Sequence, residues 1–157
     1  MAATLEIRLT GGAGNSDPNA SLGGVMSSTL LSETPMNNLF DNVDPDEAVA
    51  GDIEYRALDI YNSGDAPATS VKVYTVDTTS PDTEVNIGPD AGTQSIVNES
   101  TAPNDPTITF GHHDSGNKLS ISDIEDGAAQ RIWIKRTVTA AAGNMSNDLF
   151  TLKVEYA

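Results

Sequence analysis

Residues 53–76 read IEYRALDIYNSGDAPATSVKVYTV, two apolar, β-favouring runs separated by the turn cluster Asn62-Ser63-Gly64-Asp65-Ala66-Pro67. In the second run Val71 and Val73 alternate with Lys72 and Tyr74, the two-residue period of a half-buried strand, and Leu58 and Ile60 make the equivalent pair in the first. The stretch predicts two successive antiparallel strands of a β-sandwich, paired and joined over an exposed loop. Val49, Ile53, Ala57 and Ile60 also approximate helical spacing, but the β-branched and aromatic residues Ile53, Tyr55, Ile60 and Tyr61 weigh toward strand.

Working outward, Leu5, Ile7 and Leu9 alternate with Glu6, Arg8 and Thr10, a half-buried strand that Gly11-Gly12-Ala13-Gly14 ends. Downstream, residues 84–87, 94–97 and 107–110 are expected as short strands bounded by Pro81, Pro89, Pro103, Pro106 and Gly111. A strand at 118–121, a glycine turn ending at Gly127, a strand at 130–138 with Ile132, Ile134 and Val138 inward, and an alternating strand at 148–156 complete the series. Eight or nine strands with no sustained helix give an all-β chain, an antiparallel β-sandwich, with a jelly roll as the alternative.

Between Gly11 and Ala50 no periodic pattern is visible, and some forty residues without one are uncommon inside a compact domain. Val25, Met26, Leu30, Leu31, Met36, Leu39 and Phe40 recur along this segment, unlike a purely disordered linker. The expectation is an N-terminal strand and extended arm over 1–50, lying on its own domain or on a neighbouring subunit, and a sandwich over 51–157. Asp44-Pro45-Asp46-Glu47 has an N-cap, a proline at the first helical position and a glutamate at the third, with Gly51 as a stop, which predicts one helical turn over 45–50.

The 157 residues suffice for one domain. With 38% apolar and 5% aromatic residues the core should be modest and made of Val, Ile and Leu. Eight basic against 23 acidic side chains give a formal charge of −15, which repels phosphate backbones and argues against nucleic-acid and anionic-membrane partners. There is no cysteine, hence no disulfide framework, thiol nucleophile or thiolate metal site. The opening MAATLEIRLTGG has neither a basic nor an apolar signal region, so no secretion signal is expected, and the glycosylation-type triplets at Asn19, Asn98 and Asn144 are read as chance.

Tyr61 to Ala68 leading into Val71-Lys72-Val73, and Ile121 to Gly127 leading into Ile132-Trp133-Ile134, resemble the immunoglobulin-like sandwiches of extracellular and virion proteins. In order along the chain, Ser21-Leu22-Gly23-Gly24, Asn37-Asn38-Leu39-Phe40-Asp41, Gly51 with Glu54-Tyr55-Arg56, Thr101-Ala102-Pro103 and Ile132-Trp133-Ile134-Lys135-Arg136 are together similar to small structural proteins of tailed-bacteriophage virions. That resemblance implies an immunoglobulin-like β-sandwich in a decoration or cement protein on the capsid exterior, made in the host cytoplasm. Its partners would be the major capsid protein and further copies of itself, as a homotrimer. A tail or surface module that binds a host glycan or receptor would look much the same.

The candidate contact residues are Leu30, Leu31, Met36, Leu39 and Phe40 in the arm, with Arg131, Trp133 and Lys135 on the late strand. Trp133 lies on the face opposite Ile132 and Ile134, where it either caps the sandwich edge beneath Arg131 and Lys135 or enters a subunit contact. His112-His113-Asp114 is the lone histidine cluster; adjacent strand residues point to opposite faces, so the two could share an ion only in a loop, which Gly111 and Gly116 permit, and the expectation is a surface loop without a catalytic or zinc role. Asp41, Asp44, Asp46 and Glu47 concentrate carboxylates of the kind calcium takes, but their order does not match the twelve-residue calcium loop and helix capping accounts for Asp44 and Glu47, while Asp123, Glu125 and Asp126 form a second acidic turn read as solvated. No cofactor and no enzymatic activity are expected, since no triad, phosphate loop or carboxylate pair stands out.

Overall fold

The computed structural model describes residues 1–77, 82–92, 94–144 and 148–157. Pro81 and the second and third residues of the Asn144 triplet lie outside them. Among the described residues eight strands and one α-helix run in the order β1 (Leu5–Thr10), β2 (Met26–Leu30), α1 (Pro45–Ala50), β3 (Asp52–Asn62), β4 (Lys72–Asp77), β5 (Thr83–Asp90), β6 (Leu119–Ser120), β7 (Ala129–Val138) and β8 (Phe150–Glu155), with a 3-10 turn at Pro18–Ala20 between β1 and β2. One sheet has the order β2-β1-β3-β7-β5 and the other β6-β4-β8, with every pairing antiparallel. The fold is an all-β sandwich.

β3 and β4 do not pair with each other. The turn cluster carries the chain across to the opposite sheet, as every connection from β3 onward does, and β3 takes β1 and β7 as neighbours. The expected side-chain pattern is present all the same, with Leu58, Ile60, Val71 and Val73 fully buried. Together with Leu9, Ile87, Ile132 and Ile134 they fill the space between the sheets. Gly127 takes a φ of 70°, the positive value expected of the turn before β7.

Two expectations need correction. Residues 11–50 are not one irregular arm outside a later sandwich: β1 pairs with β3 from Leu5↔Asn62 to Leu9↔Leu58, and β2 adds to β1, so the segment through Leu30 belongs to the five-stranded sheet. The polar run Ser27-Ser28-Thr29 hides β2 from an apolar-periodicity reading because an edge strand buries little. Residues 94–97 and 107–110 form no strands: the first makes only the single bridge Gly23↔Ser95, and the second makes none, the bridge Ile87↔Gly111 falling just after it. Their apolar side chains serve another purpose. Ile96, Ile108 and Phe110, with Leu22, pack on Tyr55, Ala57 and Trp133, covering the outer face of the five-stranded sheet. Gly88 permits this close approach, because a Cβ there would come within 2.8 Å of the Ile108 side chain.

β3 and β7 are therefore buried on both faces, which is unusual for antiparallel strands. No helix among the described residues is long and apolar enough to cross a membrane.

Candidate functional site

The arm that remains is short, about residues 31–44, and it is fastened to its own domain. Leu39 and Phe40 are buried in the core, while Leu31 is half-buried against it. The Phe40 ring lies 4.9 Å from the Arg136 guanidinium, 5.2 Å from that of Arg56, and 6.2 Å from the ring of Phe150. Arg56 Nε donates to the Leu39 carbonyl at 3.2 Å, and Arg136 Nη1 to the Asp41 carbonyl at 2.6 Å. Two strand arginines thus satisfy the arm's backbone and face its aromatic ring, combining charge-assisted hydrogen bonds with cation–π attraction. Just before this anchor, Met36 and Asn37 take φ values of 73° and 54°, a sharp local turn that leaves Met36 outward.

Between them sits Glu54, only 1% exposed. Its Oε2 accepts from Arg136 Nη2, and its Oε1 has no hydrogen-bond partner, with Arg56 Nη2 4.0 Å away. Arg56 also holds Glu99 at 2.6 Å, donates to Tyr55 O, and reaches Asn19 Oδ1. Burial pushes the Glu54 carboxyl up to about 7 against the pull of Arg136 and Arg56. α1 follows directly, with its capping box formed as expected: Asp44 accepts from Glu47 N while Glu47 accepts from Asp44 N.

A groove of about 980 Å³ opens beside the arm, lined among others by Met36, Phe40, Val85, His112, Val138 and Phe150. His112 Nδ1 lies 3.2 Å from the Val85 carbonyl, its Nε2 3.8 Å from Asp77, and its side chain is 43% exposed. His113 Nδ1 turns to the Asn117 carbonyl, and Asp114 caps the local turn by accepting from Gly116 and Asn117 N. The three side chains do not converge. Of the acidic clusters, Asp41 pairs with Arg136 at 3.7 Å, Asp44 serves the helix cap, and Asp123 accepts from Ser70 N.

The eight candidate contact residues divide between the two faces of the large sheet. Leu39 and Phe40 lie on its inner side and Leu31 packs against the same core, while Leu30 and Met36 project outward at 53% and 60% exposure. Arg131, Trp133 and Lys135 lie on the outer side. Trp133 is fully buried, its Nε1 donating to Asp90 Oδ2 at 2.8 Å. Arg131 grips Asp59 with Nε and Nη2 at 2.9 and 2.7 Å and also donates to the Gly24 carbonyl. A subunit contact through Trp133 and Arg131 is thus corrected to an internal role, and the ring is covered by loop residues rather than by flanking cations. Lys135 is half-exposed beside them.

Sequence reading assigned Glu54 and Arg56 no site role beyond their place in the resemblance, and Asp59 and Asp90 none at all. A signal was there: Glu54 and Arg56 fall in register with the core positions Leu58 and Ile60, and charges in phase with a buried face indicate paired burial. Comparison with protein-family models, with curated proteins and with solved structures gives no match.

Proposed function

We propose that this chain is a structural component of a tailed-phage virion, a decoration or cement protein bound to the outside of the capsid and assembling as a homotrimer. The observation that carries the reading is the construction of the arm and the strand before it: Leu39 and Phe40 lock the arm to its own core, while Leu30 at the end of β2 and Met36 in the arm are held outward. Such pre-ordering lowers the entropic cost of docking on a neighbour. A charge of −15 would keep a high-copy shell protein away from DNA, and many modest contacts across a lattice add up through multivalency. The sequence resemblance to virion structural proteins points the same way.

The test is co-sedimentation of the purified chain with capsids of the encoding phage assembled without it, alongside Leu30→Asp/Met36→Asp. The proposal expects saturable binding that the double variant loses. Absence of binding by the intact chain would overturn it. The groove beside the arm supports a second reading, a tail or surface module that recognises a host glycan or receptor, because its volume lies in the range of ligand sites. Binding of the monomer to host cells but not to capsids would favour that alternative.

A further inference from the structure

The turn between α1 and β3 gathers carboxylates that the fold does not use up. Gly51 caps α1 at a φ of 79° and sends the chain into β3, which brings Glu47 of the helix beside Asp52 and Glu54 of the strand. Asp52 and Glu54 share one face of β3 by the two-residue period. One carboxylate oxygen from each of the three residues lies within 4.8 Å of the others. Two oxygens bound to one calcium ion at 2.3–2.6 Å can be no further apart than roughly 5 Å, so the spacing fits a shared ion.

We propose that Glu47, Asp52 and Glu54 bind a hard divalent cation, with Ca²⁺ the best match to an all-oxygen, flexible donor set. A second observation points to a ligand beyond mere acidity. Glu54 is almost wholly buried, yet its Oε1 has no hydrogen-bond partner. A buried carboxylate oxygen left so is costly unless a cation or ordered water completes it. The Asp52 carboxylate likewise has no side-chain hydrogen bond or ion pair among the described residues, although its backbone pairs with Val138 in the sheet, and Glu47 commits only Oε2 to the helix cap.

The neighbouring arginines do not remove the need. Arg56 and Arg136 pair with Glu99, Asp41 and Glu54, three carboxyl groups for two guanidiniums, and neither arginine pairs with Glu47 or Asp52. The alternative trio Asp41, Glu54 and Glu99 has similar spacing, but Arg136 already pairs with Asp41 and Arg56 with Glu99, so an incoming cation would meet two guanidiniums. Glu47 and Asp52 carry no such partner. This site does not depend on the virion reading; it would pin α1 to the start of β3 in either of the functions considered.

The test uses the full chain, stripped with chelator and titrated with CaCl₂ by calorimetry, and melted with CaCl₂ or with NaCl at matched ionic strength to separate binding from screening. One saturable Ca²⁺ per chain and a rise in melting temperature beyond that in NaCl are expected. Both should be lost in Asp52→Asn and in Glu47→Gln, the latter keeping the capping box because glutamine serves it too. Asp126→Asn, on the remote acidic turn, should retain both. Absence of saturable binding, or equal binding in Asp52→Asn and Glu47→Gln checked as folded by circular dichroism, would overturn the assignment.

Discussion

Asp59 and Arg131 face each other in register across β3 and β7, both almost fully buried, in a two-pronged ion pair. Removing one partner leaves the other charge without compensation in a dry site, so Asp59→Ala should cost about 3–5 kcal/mol. Replacing both with apolar residues, Asp59→Leu with Arg131→Met, should cost far less than the two single changes added together. A double-mutant cycle from urea unfolding checks this, and additive losses would show that the pair is not coupled. Glu54 makes the residue-scale case for pH. Its carboxyl is raised from 4.5 to about 7 by burial, so the folded chain holds that proton more tightly than the unfolded one. The stabilisation is complete below the unfolded value and lost as pH rises through about 7, at most about 3 kcal/mol from this group. In chelator, the wild-type chain should lose stability between about pH 5 and 7.5, and Glu54→Gln should flatten that slope. An unchanged slope in the variant would mean that Arg136 keeps Glu54 ionised throughout.

Among elements, the arm is decided by two residues. Phe40 fills core volume and faces Arg56 and Arg136, so Phe40→Ala removes packing and cation–π contact together and should cost about 3–5 kcal/mol. Asp44→Ala removes only the helix cap and should cost about 1 kcal/mol. Thermal melts of the two variants should rank in that order, with Phe40→Ala also exposing the arm to limited proteolysis. The contrast explains what the sequence could reveal. α1 was legible because its capping signals are local, and β7 and β8 because their alternation survives in any context. β2 was not, since an edge strand of serines and threonine has no apolar period to display. Nor was the covered outer face, because Ile96, Ile108 and Phe110 sit in irregular segments whose target, Trp133, lies far off in the chain. The polar end of the core stayed hidden for a related reason: Glu54, Arg56 and Arg136 look like surface charges until the partner strands fix their register.

For the whole molecule, charge sets the terms on which copies can meet. Each chain carries −15, so three copies in a trimer bring large mutual repulsion, which salt screens over a Debye length of about 10 Å at 0.1 M. Two kinds of surface could overcome it, and they respond oppositely to salt. The exposed side chains of Leu30 and Met36 offer an apolar contact whose strength does not fall with ionic strength. The outward face of the small sheet instead concentrates cations: Lys72 and Lys153 sit on β4 and β8, and Lys118 lies 4.7 Å over the Tyr74 ring and 2.7 Å from Glu155. A contact there with a neighbour's acidic surface would weaken as salt rises. If the arm carries assembly, light scattering should find a larger trimer fraction at about 0.5 M than at about 0.02 M NaCl, because screening removes repulsion and leaves the apolar contact intact. Leu30→Asp/Met36→Asp should then be monomeric in both. A trimer that dissociates as salt rises, and that Lys72→Glu/Lys153→Glu abolishes while the arm variant does not, would move the interface to the lysine face and leave the arm as an internal strap.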